Sequence, residues 1–247
     1  TAIGSVQEFA ISDPEAFIEG KKTQFPRLGA DRLRLFHQRA QMLTEPEATA
    51  FLRAPVELPI TDTEIFFDIE ADPMRDLVYL HGFVERLRSD PTKETFTAFY
   101  AEGVEREHER EAFAGAIDWI KQRPNATLYY YSKYERTEYR KLQQRYPDVC
   151  SAEDIEELFT PPRSIDLYYD VVLKATEWPT YNHSIKTLAK HLGFEWRDTD
   201  PSGAASIEWF HRWVESGDPA IKQRILDYNE DDCRATAVLL DGIRQLD

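Results

Sequence analysis

From residue 64 onward the chain switches hydrophobic pattern in an order that few architectures accommodate. Glu64–Glu70 (EIFFDIE), Leu77–Val84 (LVYLHGFV) and Thr95–Tyr100 (TFTAFY) each have the aromatic and β-branched content of a strand, and charged turns, one with Asp90-Pro91, separate them. A helical pattern from about Val104 to Lys121 follows, then a short apolar strand Thr127–Tyr131 after Pro124-Asn125, then a helix over Tyr134–Arg145. Helical patterns dominate the remainder: Ser184–Leu192, Ser206–Val214 and a long one from about Ala220 to Leu246. The order βββαβα followed by helices predicts an α/β fold, a mixed sheet flanked by helices.

Composition bounds the class. With 42% hydrophobic residues and 13% aromatics, the 247-residue chain can bury a sizeable core, which excludes disorder for most of it. No apolar run approaches the ~20 residues needed to span a bilayer and no signal peptide opens the sequence, so a soluble, cytoplasmic protein with no membrane partner is expected. Cys150 and Cys233 are too far apart in sequence to read as a disulfide framework or a metal pair.

The formal charge of −15 argues at first against a general polyanion binder. Its distribution is uneven. Residues 1–63 carry nine acids against seven bases, and residues 64–247 carry 36 acids against 23 bases. Within the first part, Lys21, Lys22, Arg27, Arg32, Arg34 and Arg39 face Asp31 alone over residues 20–44. Pro26 and Gly29 mark a turn before a helix from about Asp31 to Leu43, and Pro55 and Pro59 read as a linker. Residues 1–63 are therefore predicted to form a small helical N-terminal extension with a local basic stretch. The functional alternatives for that stretch are phosphate contact and a solvated helix face. The chain begins at Thr1 rather than Met, as a fragment or processed form would. The densest charge run, Glu102–Glu111 (EGVEREHERE), is expected to be the exposed face of an amphipathic helix and to carry no chemistry.

Three acidic features admit a functional reading beside a solvated one. Along the strand Phe66–Glu70, side chains alternate, so Asp68 and Glu70 share one face while Phe67 and Ile69 share the other. Like charges on one face of an apolar strand must be exposed, paired with bases, or neutralised by a divalent cation. On the long final helix, Tyr228 and Asp232 are one turn apart and about 40° around the axis, within a segment that also holds Asp227, Glu230 and Asp231. Glu135 opens the helix after Thr127–Tyr131, near the C-terminal sheet edge where open α/β sheets place their sites. Each feature alone reads as a solvated acid; the ordered set does not.

Asp68-x-Glu70, Tyr134-Glu135 and Tyr228-x-x-x-Asp232 together resemble the motifs of the DEDD exonucleases of the ribonuclease-H-like superfamily, in the subgroup with a tyrosine in its last motif. The resemblance covers about residues 64–247, and its middle motif departs, with Glu135 where the family has Asp. Asp166-Leu-Tyr-Tyr-Asp170, Ser184-Ile-Lys-Thr-Leu-Ala, Leu192-Gly-Phe194 and Tyr228–Cys233 are also similar to the C-terminal domain of bacterial predicted RecB-family nucleases. That similarity implies an upstream nuclease module and makes residues 1–63 the intervening segment.

The resemblance implies a 3′→5′ exonuclease that uses two divalent ions, Mg²⁺ or Mn²⁺, on the 3′ end of single-stranded DNA or RNA. Asp68, Glu70, Glu135 and Asp232 are then the metal ligands. Asp68 is placed to bridge both ions, and Glu70 with the Tyr228 hydroxyl to orient the attacking water. Asp231 is a substitute for Asp232 that helical spacing disfavours. Lys133, Arg136, Arg140 and Lys186 are candidate substrate contacts, with Lys141, Arg145 and His183 as weaker ones. Trp119, Trp209 and Trp213 are assigned to the core, and Cys233 to a helix interface. Two other classes compete: a degraded domain that acts as an interaction module, and a phosphohydrolase for small phosphoesters.

Overall fold

The computed structural model describes residues 3–199 and 201–247. Five strands form the central sheet: β1 (Thr63–Asp72), β2 (Leu77–Leu87), β3 (Glu94–Tyr100), β4 (Thr127–Tyr130) and β5 (Ser164–Asp166). Their spatial order is β3-β2-β1-β4-β5. The first three form an antiparallel meander, with Asp68 opposite Gly82 and Gly82 opposite Ala98. β4 lies parallel to β1, and β5 parallel to β4, so the sheet is mixed. β1 occupies the centre because both of its faces are apolar enough to bury: Ile65, Phe66 and Phe67 are at most 1% exposed.

The helices used below are α1 (Ala30–Thr44), α2 (Arg106–Lys121), α3 (Tyr134–Arg145), α4 (Ala152–Leu158), α5 (Ile185–His191), α6 (Gly203–Ser216) and α7 (Pro219–Arg244). On one sheet face Ile65, Phe67 and Ile69 meet Phe113, Ile117 and Ile120 of α2, Tyr139 and Leu142 of α3, and Ile155 of α4. On the other face Phe66, Val84 and Tyr129 meet Cys233, Ala237 and Leu240 of α7. Alternation along β1 therefore sends Asp68 and Glu70 toward α7. With 26 residues, α7 runs about 39 Å along that face. Asp218 caps its N-terminus by accepting from Ala220 N, and Pro219 occupies its first turn.

Two features depart from the sequence reading. The third parallel strand, Ser164–Asp166, is too short for its alternation to register, and a π-helical turn over Leu167–Val172 follows it directly. The run Glu102–Glu111 is also only partly exposed. Glu109 is wholly buried, where it accepts from Val78 N at 2.7 Å, from Arg145 at 2.7 Å, and from the Tyr146 hydroxyl. A carboxylate so buried is tolerable because two cations, Arg145 and the nearby Arg106 at 3.1 Å, and two neutral donors satisfy it.

Residues ahead of the sheet pack onto it. Phe51–Leu52 pairs antiparallel with Thr176–Glu177, and Arg39 of α1 and Arg53 grip the buried Glu177 at 2.8 and 3.0 Å. Arg34 is tied to Glu15 at 2.6 Å, whereas Lys21, Lys22, Arg27 and Arg32 form no ion pair among the described residues. No helix is long and apolar enough to cross a membrane among the described residues.

Candidate active site

The C-terminal ends of β1, β4 and β5 lie at one edge of the sheet, and α7 crosses the same edge. Asp68 and Glu70 project from β1 just before a register shift at Glu70/Ala71, beyond which pairing with β2 resumes with Ala71 opposite Val78 and Asp72 opposite Leu77. From α7 Asp232 descends between them, and one carboxylate oxygen each from Asp68, Glu70 and Asp232 lies within 4.8 Å of the others. Glu135, in the first turn of α3, is buried, and its Oε2 has no hydrogen-bond partner among the described residues.

Burial and mutual repulsion set the electrostatics. Desolvation first, then the charges of Asp232, Glu70 and Glu135, hold the Asp68 carboxyl well above its ordinary range. Glu70 is pushed up to about 8, by burial and then by Asp232. Glu135 is raised by burial and by Asp166 and Asp232, and Asp232 by burial against the opposing pull of Lys186. Four carboxyls thus occupy a space that disfavours their ionised forms, and Lys186 is the cation that works against the repulsion.

The surrounding side chains hold this cluster in place. Trp196 Nε1 donates to Asp232 Oδ1 at 2.7 Å, and Asn229 Nδ2 donates to Asp68 Oδ2 at 2.7 Å. Lys186, in the first turn of α5, donates to the Tyr228 hydroxyl at 2.7 Å and to the Pro201 carbonyl at 2.7 Å. Tyr228 is buried, and desolvation together with Asp232 drives its phenol far above the usual tyrosine range. It stays neutral at any ordinary pH, which makes it a donor and orienting group, not a base. Tyr79 reaches Glu70 Oε2 at 3.5 Å and Ser206 Oγ at 2.7 Å.

The structure brings Asp68, Glu70, Tyr228 and Asp232 together, with Glu135 beside them but outside the tightest group. Asp231 points elsewhere: it accepts from Arg197 Nε at 2.9 Å and from Arg197 N at 2.8 Å. Of the basic candidates only Lys186 touches the site. Arg136 and Arg140 both pair with Glu156, at 2.9 and 2.6 Å, so a phosphate would have to displace that carboxylate. Lys133 lies 4.1 Å above the Tyr169 ring, Lys141 pairs with Glu138, and Arg145 is held by Glu109. The His183 carbonyl accepts from the Tyr131 hydroxyl. Cys233 is buried against the sheet, its thiol donating to Gly82 O at 3.4 Å.

Two residues of the site, Asn229 and Trp196, were not singled out in sequence, and a third, Asp166, was quoted there only within a motif and given no role. Asp166 ends β5 and accepts from Ser132 N, Tyr168 N and Tyr169 N at 3.0–3.1 Å. It thereby fixes the loop that delivers Glu135, in which Ser132 adopts φ 91°. Its signal was the acid of the Asp166–Asp170 stretch. Asn229 and Trp196 had weaker signals, since neither an amide inside an acidic run nor an isolated Trp specifies a partner. Clustered, buried carboxylate oxygens, one of them unpartnered, are donors that suit a hard divalent cation, so the residues present fit a metal site.

The sequence pattern of the RNase_H superfamily matches residues 65–243. The chain belongs to that superfamily. The matched span runs from β1 to the last turn of α7 and so contains the whole carboxylate cluster. Neither curated proteins nor solved structures give a match to the chain. Membership in the RNase_H superfamily, with an acidic cluster able to bind metal, points to a nuclease hydrolase acting on nucleic acid.

Proposed function

We propose that this protein is a metal-dependent 3′→5′ exonuclease acting on single-stranded DNA or RNA through two divalent ions, Mg²⁺ or Mn²⁺. One observation carries the reading: Asp68, Glu70, Glu135 and Asp232 converge with Tyr228 at one sheet edge inside the superfamily match. Asp68, Glu70 and Asp232 would hold the first ion, and Glu135 with Asp68 the second. Bound divalent ions would supply charge neutralisation at the scissile phosphate and activation of water. Tyr228 remains protonated and would orient the attacking water by hydrogen bonding. Lys186 fixes the Tyr228 hydroxyl and brings positive charge to the point where a phosphate must approach four acids. Trp196 would hold Asp232 in register. The extension over residues 1–63 supplies free cations for backbone capture, and an upstream nuclease module fits the same arrangement.

The test is a single-stranded oligonucleotide labelled at its 5′ end. Mn²⁺ or Mg²⁺ should produce a ladder that shortens stepwise from the 3′ end, and Asp68→Asn should slow it by roughly a hundred- to a thousandfold. Undiminished activity in Asp68→Asn, or internal cleavage instead of a ladder, would sink the assignment. Hydrolysis of small phosphoesters alone would point to a phosphohydrolase. The placement of Glu135 outside the tightest carboxylate group favours a second reading, a degraded domain that serves as an interaction module. Calorimetry that finds no divalent-ion binding, with or without nucleotide, would select it.

A further inference from the structure

Asp68 has one hydrogen-bond donor of an unusual kind. Asn229 is wholly buried on α7, one residue after Tyr228 and three before Asp232. Its Nδ2 donates to Asp68 Oδ2 at 2.7 Å, while its Oδ1 is buried with no partner among the described residues. An amide that leaves its carbonyl oxygen unsatisfied in the interior incurs a desolvation cost, so something must hold it in this orientation. The reverse orientation would set its oxygen against the carboxylate.

Gly82 explains how the amide reaches so far. It lies directly opposite Asp68 in the β1–β2 register. A Cβ at Gly82 would fall 1.6 Å from Asn229 Oδ1 and 2.8 Å from its Cγ. The glycine sits within an ordinary strand, so space requires it here and backbone conformation does not. One turn further along α7, the Cys233 thiol donates to the carbonyl of the same glycine. Helix α7 is therefore seated on β2 at the one strand position without a side chain, and Asn229 fills the gap.

We propose that Asn229 is a positioning residue for Asp68, fixing its carboxylate for divalent-ion binding, and that Gly82 is the vacancy that admits it. The proposal rests on the metal-site reading given above. Groups that orient metal ligands from behind typically contribute ten- to a hundredfold in affinity.

The experiment measures Mn²⁺ affinity by calorimetry and metal-free melting temperature for wild type, Asn229→Ala, Gly82→Ala and the double variant. Asn229→Ala should weaken Mn²⁺ binding by about tenfold or more. Gly82→Ala should lose both affinity and thermal stability, because its methyl group collides with the amide. In the double variant the methyl occupies the space the amide vacated, so melting should return toward wild type while Mn²⁺ binding stays weak. That split cannot arise from a purely structural role. If Asn229→Ala fails to fold, the double variant still carries the test. Wild-type affinity in either Asn229→Ala or the double variant overturns the proposal but spares the metal site. Wild-type protein that takes up no Mn²⁺ overturns both.

Discussion

Asp231 and Asp232 are neighbours on one helix, yet they belong to opposite electrostatic regimes. Asp232 joins Asp68, Glu70 and Glu135 in a buried group of like charges whose ionised forms are disfavoured. Asp231 belongs to a compensated lattice: Arg197 binds Asp231 and Glu230, Arg234 binds Glu230 and Glu94, and Arg86 binds Glu94 and Asp241. Arg86 is almost wholly buried and also lies 3.8 Å from Glu64, which Arg244 holds. Acids are abundant in both regions. The lattice stabilises the fold by matching each acid to a guanidinium, whereas the cluster leaves its acids unmatched and so remains available to a cation.

The comparison can be broken most forcefully at Arg86. Arg86→Met leaves three carboxylates short of a partner and should destabilise the protein by roughly 3–5 kcal/mol in chemical denaturation. A loss below about 1 kcal/mol would mean that the lattice is solvated and contributes little. Next in size is the response to metal. Saturating Mn²⁺ at a hundred times its dissociation constant contributes about 2.7 kcal/mol, or a rise of about 5–10 °C in melting temperature. The rise should vanish in Asp68→Asn and on adding chelator, whereas the lattice should not respond to divalent ions.

The two regions should also separate by pH. Glu70 keeps its proton to about 8 in the fold and releases it near 4.5 when unfolded. The folded state therefore binds more protons across that window, so metal-free stability should fall as pH rises from 4.5 through 8. Melting followed at pH 6 and 8.5 checks this. The decline should be shallower in Glu70→Gln, where Asp68, Glu135 and Asp232 remain raised, and a metal-free wild-type protein equally stable at both pH values would contradict it. The smallest effect is expected at Asp231→Asn, with about 1–2 kcal/mol of stability lost and exonuclease activity within a few-fold of wild type. A large loss of activity there would show that the neighbouring acids do not divide as described.

Much of the fold was legible because its cues are local. β1, β2 and β3 announce themselves by aromatic and β-branched runs, and α2, α3 and α7 by helical spacing, with ends shifted by a few residues. β5 was not legible, since three residues cannot display alternation. In the candidate site, Asp68 with Glu70 and Tyr228 with Asp232 could be paired from period alone. Glu109 could not be read as buried: its sequence neighbours are charged, and apart from Arg106 its partners Val78, Arg145 and Tyr146 come from elsewhere in the chain. The basic residues over 133–145 looked available for phosphate until Glu156 and Glu109 were found to occupy Arg136, Arg140 and Arg145.

By itself the sequence determined the order of elements, the face of β1 that carries acids, and the face of α7 that meets it. Those properties follow from periods of 2 and 3.6 residues, which are written into the chain. Only the tertiary structure decided which acids stay unpaired. The fate of Asp231, Asp232 and Glu109 depends on Arg197, Trp196 and Arg145, each 30 or more residues away, and that of Asp68 on a glycine at 82 that lets Asn229 approach it. Charge compensation acts through space over a few ångströms, and no local pattern encodes it.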